Sequence, residues 1–415
     1  MTNATTESIA LVRDDARVNP ITGRPAGFRE IALLLAGSCL SVLGAVLLAP
    51  VLPAMAAAFV DVPGSAVLVP LTLTIPALFI ALLAPLAGRL ADRWGRKRVL
   101  IVALFGYAVV GTAPLWLDSL IGVLASRALV GVAEAFIMVC CTASIADYFF
   151  GARRARYLGL QAAVTTIAAT ILLALGGVLG ASGWRAPFWL YTVSAVIAVA
   201  AIFIIWPIRQ TDDGREQKAE RLAPMQWRPL ILPVVVSFAA GIIFYALIVE
   251  LSFLLAERGV TSTATLGGLA ALASLATAAG SFLFQSLARL GVRVLLSASL
   301  VVSGIGYVIV MVAGNVPVLM VGAVLAGFGG GLLLPTLITW AISGIPFELR
   351  GRASGVWTSS LFLGEFICPL VVAALAAATG SLAVAVGIIG VFGIVLGGLI
   401  AAFLRGQRSL TGDVR

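Results

Sequence analysis

Residues 88–98 read GRLADRWGRKR, a short and strongly charged turn between two long apolar stretches, residues 65–87 and 98–117. The chain around this turn has 415 residues, of which 61% are hydrophobic and 11% are charged. Soluble domains carry about a quarter charged residues, so this composition is typical of an integral membrane protein. A water-soluble fold is excluded because most of the chain would then have to be buried core.

Apolar stretches like the two that flank the turn recur along the whole chain. About 20 mainly apolar residues suffice for one transmembrane helix. The sequence therefore predicts an all-α membrane protein with 12 transmembrane helices. The predicted spans are 31–52, 65–87, 98–117, 119–148, 156–181, 187–207, 229–255, 263–288, 292–314, 316–343, 353–378 and 381–404.

The basic residues fall on one side of this predicted topology. With the N-terminus placed in the cytoplasm, 24 of the 27 Lys and Arg residues lie in cytoplasmic segments, and only Arg127, Arg185 and Arg258 do not. This positive-inside pattern predicts that both termini are cytoplasmic. The net charge of +9 then reflects topology, so we expect a lipid bilayer as surroundings and no nucleic-acid partner. The expected location is the inner (cytoplasmic) membrane of a bacterium, with multiple passes.

A constant offset relates the two halves of the sequence. Residues 93–95 (RWG) match residues 289–291 (RLG) at an offset of 196, and the same offset matches residues 154–159 (RARYLG) to residues 350–355 (RGRASG). Such self-similarity indicates a duplication. It predicts two pseudo-symmetric six-helix bundles, a plan that transporters use with the substrate site between the halves.

The predicted organisation has five segments. A cytoplasmic N-terminal tail (1–30) precedes the first six-helix bundle (31–207). The charged segment 208–228 is the predicted cytoplasmic linker, and it leads into the second bundle (229–404) and a cytoplasmic C-terminal tail (405–415). Because one chain contains both bundles, we expect a functional monomer.

The charged turn resembles the G-x-L-a-D-R-x-G-R-K-R signature of the major facilitator superfamily. In that family the Asp contacts the start of span 11 in the outward-open state. A basic residue four positions later pairs with an acid at the end of span 4. Carried over to this chain, the resemblance implies a cytoplasmic gate formed by Gly88, Asp92, Arg93, Gly95, Arg96 and Asp147.

Two further stretches resemble the same family. Arg127 and Gly131 match an R-x-x-x-G motif of span 4, and residues 183–188 (GWRAPF) resemble a W-R-x-P-F stretch that opens span 6. The resemblance covers essentially the whole chain and extends to the 12-span drug:proton antiporter branch. Residues 172–173 (LL) depart from that branch, which usually carries Gly-Pro at this place in span 5.

Three ionisable residues are predicted deep within the spans, where a charge is costly and marks a functional site. Arg127 and Glu134 lie roughly 12 and 22 Å along span 4, and Glu365 lies about 18 Å along span 11. Seven residues make about two helical turns, so Arg127 and Glu134 are expected on one face, where they can pair directly or through water. Glu365 has no basic neighbour in sequence, and desolvation favours its protonated form. We therefore predict Glu134, Glu365 and Arg127 as the proton-coupling residues.

The candidate residues for the substrate cavity are one acid and four aromatic residues. Glu250 is predicted nearer the outer interface, where it faces either the cavity or the rim. Single aromatic residues within the spans provide the remaining candidates, either as cavity wall or as ordinary helix packing. They are Phe136, Tyr245, Trp340 and Trp357.

These features favour a secondary active transporter that works by alternating access. The predicted activity is proton-coupled efflux of small amphipathic organic compounds, and the alternative is a metabolite importer of the same fold. A receptor or scaffold is a further reading, which predicts no flux. The chain has no histidine, so neither a metal site nor His-dependent catalysis is expected and the chain is not expected to be an enzyme. No cofactor is expected; the partners are a small-molecule substrate and protons, with the proton gradient as energy source.

Overall fold

The computed structural model describes residues 12–13, 15–20, 22–207, 227–346 and 349–404. Nearly all of the predicted linker, the whole predicted C-terminal tail and the start of the N-terminal tail lie outside the described residues. Within the described part of the chain the fold is almost entirely helical. The exception is a two-stranded antiparallel hairpin near the N-terminus.

In the first half, the described residues form the hairpin and seven helices. Short 3-10 turns extend three of the helices at Ala49–Val51, Ala113–Leu115 and Ala186–Thr192. The elements are β1 (Val12–Arg13), β2 (Ala16–Arg17), α1 (Phe28–Val46), α2 (Leu52–Ala58), α3 (Ser65–Trp94), α4 (Arg96–Thr112), α5 (Leu120–Tyr148), α6 (Gly151–Gly180) and α7 (Val193–Ile204).

The described part of the second half contains six helices and one 3-10 turn, Ala288–Leu290. The helices are α8 (Arg228–Glu257), α9 (Thr263–Leu287), α10 (Gly291–Val312), α11 (Val316–Ser343), α12 (Arg350–Thr379) and α13 (Leu382–Phe403). Helices of the two halves recur at the offset seen in the sequence. For example, α5 begins at Leu120 and α11 begins at Val316.

Eleven helical runs among the described residues are long and apolar enough to cross a membrane. Eleven are found where 12 were predicted because α9 and α10 follow each other without a gap, in one run of 50 residues from Thr263 to Val312. One crossing needs only about 20 residues. At the junction Gly291 has φ +81°, a left-handed backbone that favours glycine and interrupts the helical path. The described chain is thus an all-helical, multi-span membrane fold.

The first crossing is a broken helix. α1 ends at Val46, and α2 begins only at Leu52, after a 3-10 turn that carries Pro50. Proline has no N–H and cannot continue the hydrogen-bond ladder of a preceding helix. Because α1 ends at Val46, its last carbonyl groups have no donor within their own helix and are left to other partners.

The two halves touch backbone against backbone where the end of α6 meets the start of α9. A Cβ atom built on Gly177 would lie 2.7 Å from the Cα atom of Gly267, and one built on Gly267 would lie 2.7 Å from the Cα atom of Gly177. A Cβ on Gly176 would overlap the carbonyl oxygen of Leu47 in the same way. Only small residues permit helices to approach this closely. We call this contact of Gly177 with Gly267 the glycine seal.

Candidate functional site

Arg127 lies at the centre of the first half and has 0% of its surface exposed. Its Nε atom donates to the carbonyl oxygen of Thr72 at 3.0 Å, and its Nη2 atom donates to that of Gly44 at 2.7 Å. Its Nη1 atom donates to the Tyr191 hydroxyl, and the guanidinium also lies 5.4 Å from the centre of the Tyr191 ring. The cation thus binds three neutral oxygens, which provides the hydrogen bonding that a buried charge requires.

Glu134 lies two turns further along α5 and is 1% exposed. Both of its carboxylate oxygens are buried, and neither has a hydrogen-bond partner among the described residues. A Cβ built on Gly44 would lie 2.7 Å from Oε2 of Glu134, so the carboxyl group packs directly on the backbone of α1. The absence of a side chain at Gly44 is what makes room for this acid.

A direct ion pair of Arg127 with Glu134 is not formed among the described residues, and the alternative pairing through water stays a prediction. No ion pair between them is found in the described part of the chain, because the guanidinium is held by three neutral oxygens instead. Seven residues also separate their backbones by about 10 Å along the helix. Both side chains contact Gly44, Arg127 at its carbonyl oxygen and Glu134 beside its Cα atom, and they remain within electrostatic range of each other.

The carbonyl group next to Gly44 links the two halves of the molecule. The Tyr245 hydroxyl, from α8 of the second half, donates to the carbonyl oxygen of Ala45 at 2.5 Å. Arg127 and Tyr245 therefore bind consecutive carbonyl groups at the broken end of α1, one from within its own half and one from the other half. A movement of either side chain changes the environment of the helix end that also holds Glu134.

A cavity of about 300 Å³ lies between the halves beside Tyr245. Its wall is mainly apolar, and Glu365 is the one charged residue in the described lining. The wall combines hydroxyl groups from α1, α6 and α9 with aromatic rings from α8, α10 and α12. The hydroxyl groups belong to Ser41, Thr165, Thr166, Ser274, Thr277 and Ser281, and the rings to Phe244, Tyr245, Tyr307 and Phe362.

Glu365 is 6% exposed and has no hydrogen bond or ion pair with a described residue. Its position is fixed by a very close crossing of α8 and α12. A Cβ on Gly241 would lie 3.2 Å from both the Glu365 amide nitrogen and the Gly364 Cα atom. This close approach places a lone carboxyl group at the edge of an apolar cavity, where it can exchange a proton or contact a bound molecule.

Most of the residues predicted to line the substrate cavity lie outside this lining. Tyr245 and Glu365 contribute to the wall, whereas Phe136, Glu250, Trp340 and Trp357 do not. Glu250 is 4% exposed and buried in the second half. Adjacent residues of a helix point about 100° apart, and α8 turns Leu247 and Leu251 toward the cavity, which directs Glu250 elsewhere.

The residues of the charged turn are brought together where α3, α4 and α5 meet. Arg96 pairs with Asp92 at 3.1 Å, pairs with Asp147, and donates to the carbonyl oxygen of Ala143 at 2.9 Å. Gly95 has φ +90°, which allows the sharp turn from α3 into α4. Arg93 and Gly88 flank this cluster on the last turns of α3. The Arg96–Asp147 pair has the partners that the family resemblance implied, and the gating role itself stays a prediction.

Sequence reasoning missed Gly44, Thr72 and Tyr191. They approach Arg127 from positions 83, 55 and 64 residues away in the chain. Tyr191 follows closely after the stretch at residues 183–188, but nothing in that stretch indicates a partner in α5. Among the described residues, no group of three or more acidic, Cys or His side chains could hold a metal ion.

Comparison with known proteins places this geometry in context. The family model of the Major Facilitator Superfamily matches residues 34–285 and 234–414. The tetracycline resistance protein class G of Vibrio anguillarum is 29% identical over 84% of this chain and 90% of that protein. The 3-(3-hydroxy-phenyl)propionate transporter of Escherichia coli K12 is also 29% identical, over 79% of this chain and 82% of that protein.

Two further matches differ in extent. The tetracycline resistance protein class C of Escherichia coli is 34% identical, but over only 38% of this chain and 40% of that protein, less than half of either. The crystal structure of a D-xylose-proton symporter superposes with a TM-score of 0.76 over 94% of this chain and 99% of that chain, at 13% identity. At such identity the superposition shows a shared fold alone.

Proposed function

We propose that this chain, which belongs to the Major Facilitator Superfamily, is a proton-coupled exporter of small amphipathic organic compounds. Membership makes it a multi-span membrane transporter of small molecules and not an enzyme. The direction of transport, the coupling ion and the class of substrate are what we propose. The observation that carries it is the lone Glu365 carboxyl group in the wall of an apolar cavity between the halves.

The topology that we propose has 12 crossings and both termini in the cytoplasm of a bacterial cell. The run Thr263–Val312 then makes two crossings, with the turn at Ala288–Leu290 and Gly291 between them. The concentration of Lys and Arg in the segments assigned to the cytoplasm supports this orientation. In this orientation the glycine seal lies toward the outer surface and closes that side of the cavity.

The coupling mechanism that we propose uses two acids. Glu365 binds a proton when the cavity is empty and releases it when an amphipathic substrate enters, because an isolated carboxylate is costly in an apolar wall until a partner arrives. Glu134 responds to the same cycle through Gly44 and the end of α1, which Tyr245 connects to the second half. No cofactor takes part, and the proton gradient supplies the energy.

Export is supported by relatives, since the tetracycline resistance protein class G aligns over 84% of this chain. Import of a metabolite is the second candidate. The 3-(3-hydroxy-phenyl)propionate transporter of Escherichia coli K12 aligns over nearly as much of the chain and at the same identity. The two candidates predict opposite effects in cells that produce the protein: lower accumulation of substrate for export and higher accumulation for import.

The decisive experiment uses proteoliposomes with a pH-sensitive dye trapped inside. Tetracycline, a fluoroquinolone and 3-(3-hydroxyphenyl)propionate are added in turn to the wild type, Glu134→Gln and Glu365→Gln. We expect substrate-dependent proton movement in the wild type and its loss in both variants. Glu257→Gln is the matched control, because it removes an exposed acid of α8 outside the cavity lining.

Proton movement that survives both substitutions contradicts the coupling role of the two acids. Substrate movement without proton movement in any variant contradicts coupling altogether and favours uniport. If none of a chemically broad set of compounds binds or is transported, the result favours the alternative of a receptor or scaffold without flux.

A further inference from the structure

Glu250 is a buried acid that the proposed transport cycle does not use. It lies on α8, is 4% exposed, and has no hydrogen bond or ion pair with a described residue. Arg258 is the nearest basic residue in sequence, but it donates to the carbonyl oxygens of Leu254 and Ala313. An ionisable group at membrane depth is costly, which makes Glu250 a candidate for a function of its own.

The face of α8 that carries Glu250 leads from the interior of the second half to its surface. Glu250, Ile243 and Glu257 share this face, since seven residues make about two helical turns. Ile243 is fully buried, and its carbonyl oxygen accepts from the Tyr307 hydroxyl of α10. Glu257 is exposed at the end of α8 and lies within electrostatic range of Glu250. In the orientation proposed above this helix end is the outer one, and Glu250 lies about 10 Å inward from it.

Few other ionisable groups lie near Glu250, since Tyr245 of α8 faces the cavity. The helices α2, α9, α11 and α13 pack on α8 and carry no ionisable residue. Beyond its first turn, α10 carries only Tyr307, and α12 carries only Cys368 and Glu365. Cys368 is 0% exposed and lies within electrostatic range of both acids. On its inner side Glu250 is therefore followed by a thiol and by the acid of the cavity wall.

These groups lie in order along two helices that run outward side by side. α8 and α12 cross closely where a Cβ on Gly241 would lie 3.2 Å from the Glu365 amide nitrogen. From that level Cys368 is three residues further along α12, or about 4.5 Å, and Glu250 is nine residues further along α8, or about 13.5 Å. Side chains of a helix lean toward its N-terminus, so the Glu250 carboxyl group leans back toward the level of Cys368. The order from the outside is thus Glu250, Cys368 and Glu365.

We propose that Glu250 supplies the proton that Glu365 binds, so that protons enter from the outer side through the interior of the second half and not through the substrate cavity. This route rests on the proposed proton-coupled transport, for which it names the donor. The O–H bond of the Glu250 carboxyl group breaks as one forms at the Glu365 carboxylate, and Glu250 is protonated again from the outer solution. Transfer over this distance runs through water beside the Cys368 thiol, since water occupies buried sites where polar groups have no protein partner.

The state of the cavity decides when the proton moves. An empty apolar wall keeps Glu365 protonated, whereas a bound cation keeps it charged, because an isolated carboxylate is costly there. Glu365 therefore accepts a proton only after the substrate has left. The substrate and the proton approach Glu365 from different sides, so the substrate does not block the donor.

The test separates net transport from exchange in proteoliposomes that contain the purified full-length protein, with ethidium as a lipophilic cation. Net transport is driven by an imposed pH gradient and followed with a trapped pH dye. Exchange of labelled for unlabelled ethidium runs at equal pH on both sides and needs no proton at Glu365. The variants are Glu250→Gln, which removes the titratable proton, and Glu250→Asp, which keeps it. Glu257→Gln is the matched control on the same face of α8.

We expect Glu250→Gln to lower net transport about tenfold or more, as for the loss of a general acid. Its exchange rate and its dissociation constant for ethidium should stay within about twofold of the wild type, because Glu250 is outside the cavity lining. Glu250→Asp should retain most of the net transport and Glu257→Gln all of it. Glu365→Gln, by contrast, should lose both net transport and exchange.

A second measurement needs neither a variant nor a transported substrate. Dicyclohexylcarbodiimide modifies buried carboxyl groups in their protonated form, and mass spectrometry of peptides locates the product. In right-side-out membrane vesicles that contain the wild type, we expect modification of Glu250 to fall as the outer pH is raised at constant inner pH. Modification that follows the inner pH instead, or none at Glu250, overturns the outer route.

Three results of the transport assay decide between the route and the function on which it rests. Undiminished net transport in Glu250→Gln overturns the route and leaves the proposed function intact. An equal loss of net transport and exchange in Glu250→Gln also overturns the route, because Glu250 then acts on the structure or on substrate binding. Ethidium transport by the wild type without proton movement contradicts the proposed coupling itself, and the route with it.

Discussion

Glu134 and Glu365 are both buried acids without a hydrogen-bond partner among the residues that the structure describes, but their surroundings differ. Glu134 packs on the backbone of Gly44 within the first half and is absent from the cavity lining. Glu365 stands in the cavity wall of the second half. The difference indicates that one acid can meet a substrate directly, whereas the other can respond only through the helices packed around it.

Their neighbours reinforce this contrast. Glu134 shares its half with Arg127, which is fixed by three hydrogen bonds. No basic residue belongs to the described lining around Glu365. A rigid polar network therefore occupies one half, and a single acid in an adaptable apolar wall occupies the other.

The largest effect is expected from Arg127→Lys, which tests the rigid side of the comparison. Lysine keeps the charge but cannot hold three separated acceptors, and each charge-assisted hydrogen bond contributes about 1.5–3 kcal/mol. We expect a loss of about 4 kcal/mol in the free energy of unfolding, measured by denaturation in detergent. Arg185→Lys is the control, because Arg185 is partly exposed and should cost about 1 kcal/mol or less. Equal losses in the two variants contradict the assigned importance of the network.

Glu365→Gln should have the next largest effect, on substrate binding. Removing the one cavity charge weakens the binding of a cationic substrate about fiftyfold, as expected for a poorly solvated charge partner. Glu134→Gln should change the dissociation constant by about threefold or less, because Glu134 is outside the lining. Fluorescence titration of a lipophilic cation measures both values. Equal effects of the two substitutions remove the distinction between a contacting and a responding acid.

Gly44→Ala tests whether Glu134 depends on the backbone of α1. The added methyl group would lie within 3 Å of both carboxylate oxygens, so the acid or the helix must move. Overpacking of this kind costs about 1–3 kcal/mol, and we expect about tenfold slower substrate-driven proton flux. Gly106→Ala in α4 is the matched control, because its Cβ would meet no atom within 4 Å. Normal flux in Gly44→Ala shows that the position of Glu134 is unimportant.

Tyr245→Phe should give the smallest effect, on the balance between conformations. It removes the hydrogen bond to Ala45 that joins the halves, worth about 1 kcal/mol. The population closed by the glycine seal should then fall about fivefold relative to the open one, as measured by distances between spin labels on α6 and α9. Tyr307→Phe is the control, because Tyr307 donates to Ile243 within the same half. A shift of the same size in both variants means that the bond to Ala45 does not join the halves energetically.

The fold was predictable because its signal is local. Most predicted spans are close to the bounds of one helix, as for 316–343 and α11, since apolar length and the residues that flank it lie in the same stretch of sequence. The predicted span 31–52 instead covers α1, a 3-10 turn and the start of α2. The predicted spans 263–288 and 292–314 instead form one continuous helical run, because the turn between α9 and α10 needs only Gly291 and no polar gap.

The site was predictable only in part because its partners are distant in sequence. The costly charges Arg127, Glu134 and Glu365 could be identified singly, since an apolar span makes each of them conspicuous. Their surroundings could not, because Gly44 becomes important only when α1 packs against α5. Phe136, Trp340 and Trp357 lie outside the cavity lining for a related reason: hydropathy gives the depth of a residue such as Trp340 but not the direction of its side chain.

The glycine seal has a consequence for how this protein can diversify. Gly177 and Gly267 meet without side chains, so the barrier does not depend on the shape or chemistry of the residues that line the cavity. In the orientation proposed above, substitutions of apolar residues in the cavity wall are therefore expected to change which molecules are accepted without opening this contact. The reverse does not hold, because any side chain at either glycine acts as a wedge between the halves, whatever the protein carries.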